Sequence, residues 1–301
     1  MTDASVGPAS VPLSARLAGF VALTKPRIIE LLLITTVPTM FVAAARLPSA
    51  RLVALTLVGG ALAAGGANAL NMVYDRDIDA VMDRTKGRPL VTGVVAPLEA
   101  LVFAVALELA AFLVLWLTVN LLSAVLAVSA TAFYVGVYTV WLKRSSPQNI
   151  VVGGAAGAVP VLVGWAAVTG RLSLAPVVMF AIIFVWTPPH FWALAIRYRD
   201  DYRRAEVPML PAVADLASVA RQILLYTVVL WALSVALDPI AHLGPGYLVV
   251  AAVLGALFFG YAWSLRRSPT RQRAMRLFGY SITYLTVLFV AMGVDAVVLH
   301  P

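Results

Sequence analysis

The feature that most constrains this chain is a series of apolar runs of about twenty residues, separated by short charged segments. A run of about 18 apolar residues or more is long enough to cross a bilayer as a helix. The runs are continuous and do not alternate with polar residues, which favours helices over the strands of a membrane barrel. With 62% hydrophobic and 12% charged residues, the chain is predicted to be an all-α, polytopic membrane bundle.

Hydropathy predicts nine spans and a cytoplasmic N-terminus. The predicted spans are 28–46, 52–74, 98–118, 121–142, 150–168, 173–194, 218–237, 247–264 and 277–298. This topology places nineteen of the 22 Lys and Arg residues on the cytoplasmic side, and Arg46, Arg51 and Arg171 outside. The positive-inside rule therefore supports both the orientation and the odd number of spans. We expect a multi-pass protein of the cell membrane, with a disordered tail over 1–15 and one domain over 16–301.

Composition also excludes several kinds of site. The chain has no cysteine, so disulfides, thiolate metal ligands, a cysteine nucleophile and covalent haem attachment are excluded. The net charge of +8 does not indicate a nucleic-acid partner, because the basic residues follow the membrane topology.

The segment that begins at Asn71 places four carboxylates within thirteen residues, at the end of the second predicted span. If that span continues as a helix, Asn71, Asp75 and Asp79 form one stripe, because steps of four residues drift by only about 40°. Asp83 is predicted to extend the stripe, and Asp77 to point to nearly the opposite side. A stripe of oxygen ligands suits Mg²⁺ bridged to a substrate phosphate.

Three basic residues, Arg84, Lys86 and Arg88, follow these carboxylates. Arginine can bind phosphate oxygens through two parallel hydrogen bonds. The alternative is a solvated, salt-bridged turn that contacts anionic lipids. A lipid anchor needs no acids, so the pattern favours a metal and a diphosphate.

The sixth predicted span ends in a second polar segment. Pro188 and Pro189 free backbone carbonyls and kink the helix. His190 follows them among aromatic residues, either as a structural histidine bound to a freed carbonyl or as a contact to a bulky planar substrate, including as an iron ligand. Adjacent residues of a helix diverge by about 100°, so only one of Asp200 and Asp201 should face the first loop; we favour Asp201.

Several other residues have two interpretations. Lys143 and Arg144 are either ordinary membrane anchors or diphosphate ligands. Tyr138 and Trp192 are aromatic residues that lie close to these polar segments in the sequence. Glu108 is an ionisable residue near the middle of a span, and such residues are functional or paired within the bundle.

The spacing Asn71-x₃-Asp75-x₃-Asp79 resembles the first aspartate-rich motif of the UbiA-type intramembrane prenyltransferases. The segments that resemble the haem-farnesylating branch of that family are 74–79, 84–85, 88–89, 147–150, 187–192, 200–202 and 208–211. Four separate motifs occur in the expected order. One departure is that Asp201-x₃ meets Ala205, where the wider family has a second aspartate.

The resemblance implies nine helices around a central cavity that opens toward the cytoplasm. It implies that Asn71, Asp75 and Asp79 hold Mg²⁺ on farnesyl diphosphate, with Arg88 on the leaving group. Asp201 is predicted, from the second loop and not from the resemblance, as a ligand of a second metal ion or of the diphosphate. The predicted substrate-binding residues are Arg84, Lys86, Lys143, Arg144, Tyr138, His190, Trp192 and Arg199.

The implied reaction is transfer of a farnesyl group to a vinyl group of haem B, giving haem O and diphosphate. Haem B would be the substrate and not a resident cofactor, and a downstream haem A synthase is an expected partner. One alternative is prenylation of a quinone or another aromatic precursor. A second, from a different class, is a haem transporter or assembly factor, which would need paired charges near the bilayer midplane, where only Glu108 lies.

Overall fold

The computed structural model describes residues 11–299, apart from the side chains of 28, 30–33 and 299, and these residues fold as helices joined by short loops. The helices are α1 (Leu13–Thr24), α2 (Pro26–Ala44), α3 (Ala50–Tyr74), α4 (Arg76–Val81), α5 (Pro97–Thr118), α6 (Leu121–Ser145), α7 (Asn149–Thr169), α8 (Leu174–Arg197), α9 (Arg199–Arg204), α10 (Leu210–Val213), α11 (Leu216–Ala241), α12 (Pro245–Arg267) and α13 (Arg271–Val294). Within 11–299 there is no strand. The predicted all-α class is confirmed.

Eight of the described helices are long and apolar enough to cross a membrane, namely α3, α5, α6, α7, α8, α11, α12 and α13. They match the second to ninth predicted spans, and the multi-pass class is therefore confirmed. The first predicted span coincides with α2, but the count of nine and the orientation stay predictions. Residues 1–10 of the predicted tail lie outside the described residues, and residues 13–15 belong to α1.

The expectation that the second span continues unbroken past the membrane surface is wrong. Helix α3 ends at Tyr74, and Asp75 (φ −86°, ψ 5°) separates it from the short helix α4. The spacing of four survives the break, because Asp75 N–H donates to the Asn71 carbonyl (2.9 Å) and Asp79 N–H to the Asp75 carbonyl (2.8 Å). Met82 is extended, so the chain turns away there and Asp83 does not extend the stripe.

Helix α6 widens into a π-helix over Phe133–Leu142. Within it the Thr139 hydroxyl donates to the carbonyl of Tyr134, five residues earlier (3.0 Å). Wide turns of this kind are frequent at functional sites. Here they direct Thr139 and Lys143 toward the end of α3.

Close packing of α3 on α5 fixes the position of the stripe. A Cβ added to Gly66 would lie 2.6 Å from Glu108 Oε1 and 3.0 Å from the Ala104 carbonyl oxygen. Glu108 accepts a hydrogen bond from the Thr131 hydroxyl of α6 (3.0 Å). The sequence indicated no partner for Glu108; in the structure its partner is Thr131. This hydrogen bond links α5 to α6 next to the backbone of α3.

Gly66→Ala should destabilise the protein by about 1–3 kcal/mol, because the added methyl group meets the backbone of α5 and must push the helices apart. Gly260→Ala is the matched control, since a Cβ at that helical position meets nothing within 4 Å. Thermal unfolding of both variants in detergent gives the comparison. Equal midpoints would contradict the tight α3–α5 contact.

Candidate active site

The three residues of the stripe are enclosed where α3 meets α4: Asp75 is 0%, Asp79 2% and Asn71 4% exposed. Asn71 Nδ2 donates to Asp75 Oδ2 (2.7 Å) and to the Thr139 hydroxyl (3.1 Å). Its Oδ1 accepts from Lys25 Nζ (3.0 Å). The carboxamide is therefore held by α6 and by the α1–α2 junction, and it orients the carboxylate one turn further along.

Three cations surround the two buried carboxylates. Lys143 Nζ pairs with Asp75, and Arg88 Nη1 pairs with Asp79 (2.5 Å). Lys25 is the third, and burial, followed by the nearby Arg88 and Lys143, lowers its pKa to about 7. Lys25 is then only partly charged near neutral pH, but together with Arg88 and Lys143 it still balances or exceeds the charge of the two carboxylates, which suits an anionic ligand.

One carboxylate oxygen in this cluster is unused. Asp75 Oδ1 is buried and has no hydrogen-bond partner; Arg144 Nη2 lies 3.9 Å from it. A buried oxygen without a donor is costly but suits a metal ligand. The residues thus fit a divalent ion at the stripe, with Asn71 and Asp79 as the other protein ligands.

Within the described part of the chain, no three carboxylate, imidazole or thiol groups converge as a metal-binding set. The stripe offers two carboxylates and one carboxamide. Mg²⁺ commonly binds one or two carboxylates and takes its remaining ligands from substrate phosphates and water. The composition of the stripe therefore suits an ion that binds together with its substrate.

Arg144 lies at the rim of the cluster and joins α6 to α4. Its guanidinium contacts both oxygens of Asp77 (2.7 and 2.8 Å) and lies 4.7 Å from the centre of the Tyr74 ring. The hydrogen bond from Arg144 lowers the pKa of Asp77 to about 2. Asp77 points away from the stripe and has a partner of its own.

The two polar loops are joined by Arg204, which pairs with Asp83 (2.6 Å) and with Asp201 (2.5 Å). Asp201 is buried, whereas the side chain of its neighbour Asp200 is 86% exposed. Lys86 is 65% exposed and pairs with Asp83 (3.0 Å). The structure therefore brings Asp201 toward the first loop and leaves Lys86 at the surface.

Two predicted arginines lie along the second loop. The Arg84 guanidinium lies 5.7 Å from the centre of the Tyr198 ring. Burial raises the pKa of Tyr202, and the charge of the nearby Arg84 opposes that shift. Arg199 donates to the Ala214 carbonyl (3.2 Å). This contact lies within the second polar loop and does not involve the buried carboxylates of the stripe.

Tyr134 and Tyr138 form a stacked pair (5.4 Å, 15°) on the π-helical part of α6. Gly153 of α7 makes room for it, because a Cβ there would lie 2.3 Å from Tyr138 Cδ2. Tyr134 belongs to the same π-helical segment as Thr139, which bonds to the stripe. An aromatic surface therefore adjoins the charged cluster.

His190 is fixed in one tautomer by α13. Its Nδ1 lies 2.7 Å from Ser281 Oγ, and that hydroxyl donates its only proton to the Phe278 carbonyl (2.6 Å). Nδ1 must therefore carry a hydrogen, which leaves a lone pair on Nε2. The ring stacks on Trp186 (4.1 Å between ring centres). The hydrogen-bond partner of Nδ1 is thus a serine hydroxyl, and not one of the backbone carbonyls that the prolines free.

Trp192 lies on a different face of α8 from His190. It is fully buried and packs edge-on against Tyr226 of α11 (5.5 Å). Two residues of a helix separate the directions of the two side chains by about 200°. Trp192 and His190 therefore do not form one wall.

Sequence reasoning missed Lys25, Thr139 and Arg204 as members of the site. Lys25 precedes a proline at the start of a predicted span, where a positive-inside anchor looks the same. Thr139 is one of many threonines in apolar segments. Arg204, one of several arginines in its loop, carried no signal of its contact with Asp83, 121 residues earlier.

A helical membrane bundle with this buried cluster of aspartates and basic residues is the architecture of an intramembrane prenyltransferase. Residues 32–291 match the model of the UbiA prenyltransferase family. The chain belongs to that family. A Streptomyces coelicolor protein named protoheme IX farnesyltransferase is 52% identical over 297 residues, which cover 97% of this chain and 94% of the relative.

Solved structures show the same fold. A structure described for a digeranylgeranylglyceryl phosphate synthase has a TM-score of 0.78 at 18% identity, covering 94% of this chain and 99% of that chain. A UbiA homolog from Archaeoglobus fulgidus, bound to GPP and Mg²⁺, has a TM-score of 0.62 at 15% identity and covers 91% and 99%. At these identities the likeness establishes the fold alone.

Proposed function

We propose that the chain is a Mg²⁺-dependent protohaem IX farnesyltransferase, which transfers the farnesyl group of farnesyl diphosphate to a vinyl group of haem B and yields haem O and diphosphate. The observation that carries the proposal is the buried stripe of Asn71, Asp75 and Asp79, with an unused oxygen, among three cations. The name of the Streptomyces coelicolor relative supports the choice of substrates. The GPP and Mg²⁺ bound to the Archaeoglobus fulgidus homolog support a prenyl diphosphate bound with the metal.

In this proposal Asn71, Asp75 and Asp79 hold the ion. When bound, Mg²⁺ supplies the positive charge that neutralises diphosphate as the allylic C–O bond breaks. Arg88 and Lys143 exchange their carboxylate contacts for phosphate oxygens, and Arg88 can bind two of them. Such preorganised cations stabilise charge that grows on the leaving group.

The acceptor reacts beside the aromatic residues next to the cluster. The faces of Tyr134 and Tyr138 can stabilise the allylic cation through cation–π contact. A vinyl carbon of haem B forms the new carbon–carbon bond, and water adds to the haem-side cation with loss of a proton. Trp186 and His190 offer an aromatic contact to the planar haem, with His190 Nε2 free to bind the iron.

Asp201 is proposed as a further ligand of the metal or of the diphosphate. The support is that Arg204 links the loop of Asp201 to the loop of Asp83. The basic residues near the cluster support a site on the cytoplasmic side of the cell membrane. An enzyme that consumes haem O, such as a haem A synthase, is the expected downstream partner.

Mass spectrometry of the product tests the proposed function. Purified protein in vesicles, given farnesyl diphosphate, haem B and Mg²⁺, should form haem O and release one diphosphate per haem converted. Prenylation of a quinone precursor with no haem product would favour the first alternative. Haem binding without diphosphate release would favour a carrier, and either result would overturn the proposal.

His190→Ala should weaken haem binding about tenfold or more, a loss of about 1.4 kcal/mol or more, because the aromatic contact and the Nε2 ligand both disappear. Optical titration with haem B, without farnesyl diphosphate, measures the affinity and the position of the Soret band. His242→Ala is the matched control, since His242 ends α11, far along the chain from the polar loops. Equal affinities for the two variants would contradict a role of His190 in haem binding.

A further inference from the structure

Helix α1 is apolar on almost its whole circumference. Its inner face is buried at Gly19 and Leu23, and a Cβ added to Gly19 would lie 2.9 Å from a Val95 methyl group. Its outer face exposes Leu13 (72%), Leu17 (59%) and Val21 (60%) at steps of four residues. A contiguous row of exposed large apolar side chains marks a surface that contacts a membrane or another protein.

The one charged side chain of α1 is held in an ion pair. Arg16 pairs with Glu99 at 2.5 Å, near the start of α5, and both side chains are 41% exposed. The charge is therefore partly accessible beside α5, whereas Leu13, Leu17 and Val21 carry no ionised group.

Contacts place α1 beside the ends of two spans. Phe20 packs on Phe103 (5.1 Å), the seventh residue of α5, which lies about 9 Å into that span. The Thr24 carbonyl accepts from Asn68 Nδ2 (3.0 Å), and Asn68 lies about 9 Å before the end of α3. The twelve residues of α1 extend about 18 Å, too short to cross a hydrocarbon core of about 30 Å.

We propose that the outer face of α1, defined by Leu13, Leu17 and Val21, is a lipid-binding surface seated at the boundary between acyl chains and headgroups. Its occupant is the bilayer, because the depth of the contacts matches the 5–10 Å at which interfacial helices lie. The surface also continues into exposed apolar residues of the first turns of α5, namely Leu98, Leu101 and Val102. Burial of these side chains in lipid is favourable.

This surface is connected directly to the polar cluster. Helix α1 ends at Thr24, and the next residue, Lys25, donates to Asn71. Lipid that holds α1 in place therefore restrains the position of Lys25 beside the stripe. The effect of lipid on Lys25 matters only if the proposed function is correct, whereas the contact between α1 and lipid does not depend on that function.

The absence of cysteine permits a single-site label without background. Leu17→Cys in the full-length protein, labelled with an environment-sensitive fluorophore, is placed in phosphatidylcholine–phosphatidylglycerol vesicles with brominated acyl chains. Gln148→Cys is the matched control, an exposed position in the loop between α6 and α7. The label at 17 should be quenched by the brominated chains and protected from aqueous iodide, and the label at 148 should show the reverse.

Two outcomes would overturn the lipid surface. Iodide quenching at 17 equal to that at 148 would place the face in water. Protection from both quenchers would mean that protein covers the face, either a second copy or a partner. The measurement needs no substrate, so a failure of farnesyl transfer would leave its result unchanged.

Discussion

Asp75→Asn should lower turnover about a thousandfold or more while the protein remains folded. Asparagine keeps the shape of the side chain but removes the negative charge that would bind the metal and replaces one carboxylate oxygen with an amino group that cannot act as a ligand. Loss of a single preorganised electrostatic group costs about 10²–10³ in rate, and loss of the metal ligand adds to it. The initial rate of diphosphate release, with both substrates saturating, measures the effect.

Asp77→Asn is the matched control for this prediction. It makes the same change two residues further on, at a side chain that is 61% exposed and paired with Arg144 at the rim. Turnover should fall less than threefold, as expected for an exposed ion pair. Similar losses in the two variants would contradict the assignment of the stripe.

A folding defect must be distinguished from a catalytic one. Breaking a buried pair can cost about 3–5 kcal/mol because it leaves an unpaired charge, and Asp75 is the partner of Lys143. Asp75→Asn combined with Lys143→Gln removes both charges and should restore stability without restoring turnover. Recovered turnover in that double variant would mean that neither charge is needed.

Arg88→Met should lower kcat/KM for farnesyl diphosphate about a hundredfold, because methionine keeps the apolar stem but cannot bind phosphate. Arg88 is enclosed with its guanidinium on Asp79, whereas Lys86, two residues earlier, is 65% exposed. Lys86→Met is therefore the matched control and should change kcat/KM less than threefold. Steady-state kinetics with farnesyl diphosphate as the varied substrate decides between them, and a larger loss in Lys86→Met would contradict the site.

Much of the fold could be predicted from the sequence, because bilayer thickness sets the length of the apolar runs and charges mark their ends. The limits of α5 and α7 differ from the predicted spans by one residue. Helix α1 could not be predicted in this way, because its twelve residues are too few for a span. It is held by contacts with α3 and α5 that lie distant in sequence.

The stripe itself could be predicted because a spacing of four is a local property of a helix. The end of α4 at Val81 could not, yet it matters, since the extended Met82 ends the stripe before Asp83. Lys25 reaches Asn71 across 46 residues through the α1–α2 junction, and Thr139 reaches it through a π-helical turn. Neither contact leaves a periodic signal in the sequence.

Electron paramagnetic resonance of Mn²⁺, used in place of Mg²⁺, tests most directly whether Asn71, Asp75 and Asp79 hold a divalent ion on a prenyl diphosphate. With farnesyl diphosphate present, the wild-type protein and Asp77→Asn should bind Mn²⁺ with hyperfine coupling to ³¹P. Asp75→Asn and Asp79→Asn should lose that bound signal. Undiminished, phosphorus-coupled Mn²⁺ in both stripe variants would contradict the metal site.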